Sequence, residues 1–216
     1  MTEKLTKREQ THLRMLEAAG REFRSNGYAG IGVDGVAKAA GVTSGAFYAH
    51  FGSKDGAFKA SVSAGLDEVI EAVPTFQREH GSNWVRAFAD YYLGKPHRDD
   101  LASGCAMTTL SPEVVRASPA LQTLYEEKMH KIASLMAQGL ANGSDRERIA
   151  RAWAMLGTLI GGLTIARAVH DNTTAQQIAD ALAATAIVAA FSRSSSLRSL
   201  QMISGSLPPS SNAVRL

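Results

Sequence analysis

Apolar residues recur at helical spacing along most of this chain, and glycine, proline and serine interrupt the pattern at intervals. Within 33–40 the apolar positions follow an i, i+3, i+4, i+7 spacing, which places them on one face of a helix. Gly41 follows, a residue that adopts positive φ without a steric penalty, and a second apolar stripe runs from Val42 to Phe51. Two short helices joined by a tight glycine turn predict a helix-turn-helix. The alternative interpretation is a plain helical hairpin in an all-α core.

The same periodicity predicts helices on both sides of this segment. The first covers 6–26, ends at Asn26-Gly27 and turns one face inward, formed by Leu13, Leu16, Ala19 and Phe23. Later helices are expected at 53–73, where Pro74 breaks the pattern, and at 82–93, 118–140, 144–169 and 174–191. Alternating β-branched runs are scarce, so the pattern predicts an all-α fold.

Several polar pairs indicate where these helices begin. Serine–proline pairs at 111–112 and 118–119 are typical of an N-cap followed by proline at the first helical position. Ser144 with Glu147, and Thr174 with Gln177, have the spacing of capping boxes. The sequence HRDD at 97–100 indicates a solvated loop.

Charge divides the 216-residue chain into three parts. Residues 1–59 carry nine Lys/Arg and six Asp/Glu, residues 60–192 carry eleven and fourteen, and residues 193–216 carry three Arg and no acid. The basic N-terminal part contains the helix-turn-helix, as a phosphate-facing module should. We therefore expect a DNA-binding domain at 1–55, a larger helical domain at 56–192 and a disordered Ser-rich tail at 193–216.

The sequence carries few signs of catalysis, metal binding or membrane insertion. It has no P-loop, dinucleotide fingerprint, H-E-x-x-H or G-x-S-x-G motif, and its six His and one Cys lack metal-ligand spacing. We expect neither enzymatic activity nor a cofactor. The single Cys105 fits a reducing cytoplasm, the charged start shows no signal peptide, and the apolar run 152–166 is short of the ~20 residues of a membrane span.

The second helix of the helix-turn-helix has an outer face suited to DNA. Its residues are polar or small and none is acidic, so hydroxyls can reach phosphates or base edges and the backbone can approach closely. Ser53 is a plausible N-cap, and Lys54 beside it places a cation at a helix N-terminus. The predicted DNA-binding residues are Thr43, Ser44, Gly45, Ala46, Tyr48, His50 and Lys54.

The segment GVTSGAFYAHFGSKDGAF resembles the DNA-binding signature of TetR-type transcriptional regulators, close to G-V-S-x-G-x-[LFI]-Y-x-[HY]-F-x-[SN]-K-[ED]-x-[LF]. The match is gap-free, and the resemblance covers about 13–58. The chain departs from the family at Gly32, where members often carry a phosphate-contacting Thr, and only the backbone N–H remains there for such a contact.

The resemblance implies a homodimer that binds a palindromic double-stranded DNA operator, acts as a repressor and is released by a small-molecule effector. Family members build the dimer from their last two long helices, which here implies an interface at Trp153, Gly157, Ile160, Gly161, Ile178 and Leu182. The G-x-x-x-G spacing of Gly157 and Gly161 suits a close helix approach, although packing within one subunit is the alternative. The region 56–192 is then the regulatory ligand-binding and dimerisation domain.

The resemblance also implies a ligand cavity among the middle helices. Its expected lining is Trp84, Phe88, Tyr92, Cys105, Met107, Leu124, Tyr125 and Met129, although aromatic and Met residues at helical spacing equally suit a plain core. Three functional alternatives stay open: a regulator that senses oxidants or electrophiles through Cys105, an activator of the same fold, and a helical ligand-binding protein or enzyme with a purely structural helix-turn-helix. For Cys105 the competing interpretation is a small buried hydrophobe.

Overall fold

The computed structural model describes residues 5–192, and every regular element within them is a helix, as predicted. The N-terminal helices are α1 (Lys7–Gly30), α2 (Val33–Ala39), α3 (Ser44–Phe51) and α4 (Lys54–His80). After a 3₁₀ turn at Gly81–Asn83 come α5 (Trp84–Tyr92), α6 (Lys95–Asp99), α7 (Ala106–Thr109), α8 (Ser111–Val114), α9 (Pro119–Gly139), α10 (Asp145–Ala168) and α11 (Asn172–Phe191). The predicted tail at 193–216 lies outside the described residues.

Side-chain caps fix several helix starts. The Ser144–Glu147 capping box at the start of α10 is confirmed, and Thr6 forms a similar box with Glu9 at the start of α1. The predicted Thr174–Gln177 box is wrong, because Asp171 is the N-cap of α11 and its carboxylate accepts from the Thr174 backbone N–H at 2.7 Å. An ionised carboxylate is favoured at a helix N-terminus, so α11 begins three residues earlier than a cap at Thr174 would place it.

Tertiary contacts overrule three local signals. Helix α4 continues through Pro74 to His80 instead of ending near Val73. Proline removes one backbone hydrogen bond, but Phe76 packs edge-on against Phe88 and Gln77 donates to the Leu135 carbonyl at 2.8 Å, which hold the last turns in place. The HRDD loop is partly a short helix, α6, and Ser111 lies inside α8, where its Oγ donates to the Met107 carbonyl instead of capping.

The core extends through the whole described chain. Helix α4 packs against α1 at one end and against α9 and α5 along the rest, while α10 packs along α11 and α9. On α1 the inward face is formed by Met15, Ala19 and Phe23, whereas Leu13, predicted to face inward, is half exposed. Helix α4 begins beside the helix-turn-helix and continues along α9 and α5, so this one helix connects the two parts of the chain.

Candidate nucleic-acid interface

The turn between α2 and α3 has the geometry predicted for a helix-turn-helix. Gly41 adopts φ 66°, in the left-handed region, and the Val42 backbone N–H donates to the Ala37 carbonyl at 3.0 Å. Thr43 is the N-cap of α3, and its Oγ1 accepts from the Ala46 N–H at 3.2 Å. These bonds fix the angle at which α3 leaves α2 and satisfy backbone donors at its exposed start.

Helix α3 divides into a buried side and an open side. Phe47 is fully buried, while Tyr48 on the next position is 53% exposed and Gly45 is also exposed. Ser44 lies partly buried, where its Oγ donates to the Asp34 carboxylate at 2.5 Å. The hydroxyl of Ser44 is therefore engaged with α2, and the exposed members of the predicted set are Thr43, Gly45 and Tyr48.

His50 lies at the edge of this surface, beside α1. Its ring centroid lies 5.4 Å from that of His12, and the His12 ring also packs 5.2 Å from Phe51. Burial, followed by the charges of His12 and Arg8, lowers the pKa of His50. The lowered pKa favours the uncharged imidazole, which can act as a hydrogen-bonding group.

The junction from α3 to α4 depends on two glycines. Gly52 ends α3 at φ 72°, and Ser53 caps α4 by accepting from the Gly56 N–H at 2.9 Å. A Cβ at Gly56 would lie 2.1 Å from the Phe51 carbonyl oxygen, so only glycine fits this crossing. The tight junction places Lys54 on the first residue of α4, next to the end of α3.

Tyr28 is a residue of this region that the sequence analysis treated as part of a linker. The Lys54 ammonium lies 4.4 Å from the centroid of the Tyr28 ring, and the Tyr28 hydroxyl donates to the Asp55 carboxylate. The Asp55 hydrogen bond raises the pKa of Tyr28 to about 12, so the phenol stays protonated at neutral pH. The sequence offered one local signal, the Gly-Tyr pair after the predicted end of the first helix. It could not indicate the contacts of Tyr28, because Lys54 and Asp55 lie 26 and 27 residues further along the chain.

In the larger part of the chain, the residues proposed for a ligand cavity fall into two groups. Trp84 and Phe88 lie at the start of α5, where the Trp84 indole N–H donates to the Gly139 carbonyl at 2.9 Å. The second group surrounds α7, where the Tyr92 hydroxyl pairs with Thr108 Oγ1 at 2.9 Å and the Tyr125 hydroxyl pairs with Ser111 Oγ at 2.6 Å. Met107 and Met129 are buried, and Leu124 is partly buried against the core.

Cys105 lies in this second group, and burial raises the pKa of its thiol. Its backbone N–H donates to Nε2 of His97 at 3.1 Å, and the Nδ1 atom of that histidine is buried and makes no hydrogen bond of good geometry within the described part of the chain. The cation acting on the thiol is Arg167 of α10, a residue 62 positions away. A thiol that stays protonated is a weak nucleophile.

The residues predicted for a dimer interface lie on α10 and α11, which pack along each other. A Cβ added at Gly157 or Gly161 would meet nothing within 4 Å, whereas one at Gly162 would lie 3.0 Å from the Leu182 side chain. Leu182 therefore packs within the subunit. Trp153 is partly buried, with its ring 5.5 Å from the ring of His130, and Ile160 and Ile178 are also partly buried.

Small and apolar residues, most of them exposed, recur at helical spacing on one face of α10 and on one face of α11, and we call them the α10–α11 stripe. It consists of Ala154, Gly157, Gly161, Ile165, Ala181, Ala184, Val188 and Phe191. Ile165, Val188 and Phe191 are 51, 65 and 54% exposed. Helices α10 and α11 are also long and apolar enough to pass a compositional test for a membrane span, a test that core and interface helices of soluble proteins pass as well.

Residues 15–60 match the family model described as "Bacterial regulatory proteins, tetR family". No curated protein matches the sequence. Solved structures of TetR-family regulators share the fold. One from Cytophaga hutchinsonii is 16% identical, covers 86% of this chain and 97% of its own, and has a TM-score of 0.72. One from Chloroflexus aurantiacus is 20% identical, covers 83% of this chain and 96% of its own, and has a TM-score of 0.68. FadR from Bacillus subtilis, solved with stearoyl-CoA, matches at 15% identity over 79 and 97%, with a TM-score of 0.59.

A helix-turn-helix on an all-α body is the arrangement found in helical DNA-binding regulators. The sequence match covers the N-terminal segment, and the solved structures share the fold over most of the chain. The chain therefore carries a TetR-type DNA-binding segment on a TetR-like all-α fold.

Proposed function

We propose that the protein is a homodimeric repressor that binds a palindromic operator and leaves it when a small molecule occupies the larger domain. The observation that carries this proposal is the coexistence of an exposed α3 face that carries no acidic residue with an apolar α10–α11 stripe that is largely exposed among residues 5–192. The first surface suits phosphates and base edges, and the second suits another protein surface.

The stripe supports a dimer with two-fold symmetry. Gly157 and Gly161 leave space on the outside of α10, so a second helix can approach closely without displacing side chains of its own subunit. In a two-fold interface the same patch meets itself, and the open positions at Gly157 and Gly161 offer room for exposed apolar side chains of the second subunit. We call the region 7–51 of one subunit, which contains the helix-turn-helix, its reading head. Two reading heads related by this symmetry match the two half-sites of a palindrome. The centres of those half-sites lie one turn of DNA, about 34 Å, or a multiple of it apart.

The polar group around α7 supports an effector site. His97 has a buried Nδ1 that makes no hydrogen bond of good geometry among residues 5–192, and the Tyr92 and Tyr125 hydroxyls pair with Thr108 and Ser111 near α7. A mostly apolar site with a few fixed polar groups is typical of small-molecule pockets. The fold neighbour FadR was solved with stearoyl-CoA, which is a precedent for an amphipathic ligand in this architecture.

Two arginines connect the segment before α7 with other helices, one with α1 and the other with α10. Arg24 of α1 is buried and donates through Nε to the Ala102 carbonyl at 2.7 Å. Arg167 of α10 donates to the carbonyls of Arg98, His97 and Asp100 on the same loop. A ligand that shifts the segment 97–105 therefore acts at once on α1, which packs beside the helix-turn-helix, and on α10, which carries the proposed interface.

Stoichiometry on DNA tests the proposal. Sedimentation velocity with a fluorescent duplex, taken from the DNA flanking the protein's own gene, should show two chains per palindrome, with α3 of each protecting one half-site in a footprint. A single chain bound to one asymmetric half-site would contradict the dimer. An unrelated duplex of equal length is the control, and it should bind more weakly at equal salt.

A further inference from the structure

The position of Lys54 is defined by an aromatic ring from another helix. Its ammonium lies 4.4 Å from the centroid of the Tyr28 ring, within the range at which a cation is attracted to the face of an aromatic ring. A lysine on the first residue of a helix otherwise has many rotamers of similar energy, and it would lose that freedom on meeting a phosphate. Because the Tyr28 ring already restricts the Lys54 side chain, Lys54 loses less conformational entropy when it binds a phosphate.

The Tyr28 ring is itself held on both sides. It stacks at 6.1 Å on Phe23 and meets Phe58 edge-on at 5.1 Å, and both phenylalanines are buried. Its hydroxyl donates to the carboxylate of Asp55, an exposed residue next to Lys54 in sequence. Tyr28 thus contacts the cation with its face and the neighbouring anion with its hydroxyl.

Asp55 has two opposite effects at this place. A carboxylate in the first turn stabilises α4 through the helix dipole. Beside a surface that meets phosphates, the same charge repels DNA and competes for the Lys54 ammonium. The hydrogen bond from Tyr28 offers the carboxylate a fixed partner, so that it stabilises the helix without pairing with the lysine.

We propose that Tyr28 is a positioning residue for DNA binding: its ring holds the Lys54 ammonium ready for a phosphate, and its hydroxyl keeps the Asp55 carboxylate away from that ammonium. This inference rests on the proposed phosphate contact of Lys54. It adds to the predicted DNA-binding set a residue that need not touch DNA.

Removing only the hydroxyl tests the second half of this role. Tyr28→Phe keeps the ring and should weaken binding to a non-specific duplex by roughly two- to fivefold, the effect of about one exposed charge interaction. Adding Asp55→Asn to Tyr28→Phe should restore wild-type affinity or exceed it, because the unengaged charge is gone. Tyr28→Leu removes the ring as well and should bring the salt dependence towards that of Lys54→Ala. Tyr91→Phe, a half-exposed tyrosine on α5, is the matched control and should bind as the wild type does.

Melting temperatures and circular dichroism of every variant separate this role from a purely structural one. A loss of affinity in Tyr28→Phe that Asp55→Asn fails to restore would overturn the inference, because general loosening of the fold gives that result. Wild-type affinity in Tyr28→Phe alongside a loss in Lys54→Ala would overturn the inference and leave the proposed function standing. Unchanged affinity and salt dependence in Lys54→Ala would remove the phosphate contact and, with it, this role of Tyr28.

Discussion

The guanidinium of Arg24 on α1 reaches the backbone of Ala102, 78 residues further along the chain, with a 2.7 Å bond from Nε to the carbonyl oxygen. Arg24 is 8% exposed, and it lies against Gly20 and Gly65, whose missing side chains leave room for it. A buried charge bound to a carbonyl links the reading head to the loop that Arg167 holds from the other side. Loss of such a link affects both stability and communication between the two parts.

Arg24→Met should therefore destabilise the protein by about 1–3 kcal/mol, since the partly buried Ala102 carbonyl loses its partner. Urea unfolding at neutral pH measures the change. Arg14→Met on the exposed side of the same helix is the control and should stay within about 0.5 kcal/mol of the wild type. Equal effects of the two substitutions would mean that the Arg24–Ala102 bond contributes nothing beyond a surface charge.

Gly56 and Gly45 make a matched pair within the helix-turn-helix. Gly56→Ala places a Cβ 2.1 Å from the Phe51 carbonyl oxygen, so we expect a loss of stability of at least ~1–3 kcal/mol and weaker DNA binding, because the angle between α3 and α4 must change. Gly45→Ala meets only ordinary contact, at 3.8 Å from Thr43 Oγ1. It should leave stability unchanged or raise it by ~0.5–1 kcal/mol, the gain of alanine over glycine in a helix.

The DNA affinity of Gly45→Ala then reports on the surface alone. If the backbone of α3 approaches DNA at this glycine, the alanine variant binds more weakly although its melting temperature does not fall. Unchanged affinity would place Gly45 off the contact surface.

Gly161→Leu tests the proposed dimer interface. Among the described residues nothing lies within 4 Å of the new Cβ, so the fold should tolerate the leucine, while a close helix crossing between two subunits would be overpacked by ~1–3 kcal/mol. Sedimentation equilibrium should show a dimer dissociation constant raised by about tenfold or more. Gly162→Leu is the contrasting variant, since it collides with Leu182 of its own chain and should lower the melting temperature instead. An unchanged dimer in Gly161→Leu would remove that residue from the interface.

The raised pKa of Cys105 predicts slow chemistry at its thiol. Iodoacetamide should alkylate the folded protein at pH 7.5 more slowly than it alkylates the urea-unfolded chain, because burial disfavours the thiolate. The unfolded chain loses the proton at a lower pH than the folded one, so this group's contribution to stability is complete below the unfolded pKa and falls as pH rises beyond it. Alkylation of the folded protein as fast as the unfolded one, with release of DNA, would instead support a cysteine sensor.

The sequence predicts the helix-turn-helix well because its signals are local. The spacing within 33–51, the positive φ of Gly41 and the Ser53 cap all operate within a few residues, and each is confirmed. Two predictions from local signals were wrong. Pro74 does not end α4, because Phe76 packs against Phe88 beyond it. Thr174 does not cap α11, because the Asp171 carboxylate caps it earlier.

The contacts that connect distant segments were beyond a reading of local pattern. Tyr28 with Asp55, Arg24 with Ala102 and Arg167 with the loop at 97–100 join positions 27 to 78 residues apart. Nothing in the neighbouring sequence of an arginine tells which distant carbonyl it will bind. The predicted DNA-binding, cavity and interface residues as sets therefore stay predictions, and the experiments above address them separately.

The salt dependence of DNA binding tests the central claim most directly, with Lys54→Ala compared to the wild type. Fluorescence anisotropy across a series of salt concentrations gives the slope of log affinity against log salt, which counts phosphates neutralised by the protein. We expect Lys54→Ala to bind all duplexes more weakly and to have a slope smaller by about one unit per subunit, while Lys131→Ala on the exposed side of α9 behaves as the wild type. Equal slopes for Lys54→Ala and the wild type would contradict the account of this surface as the DNA-binding face.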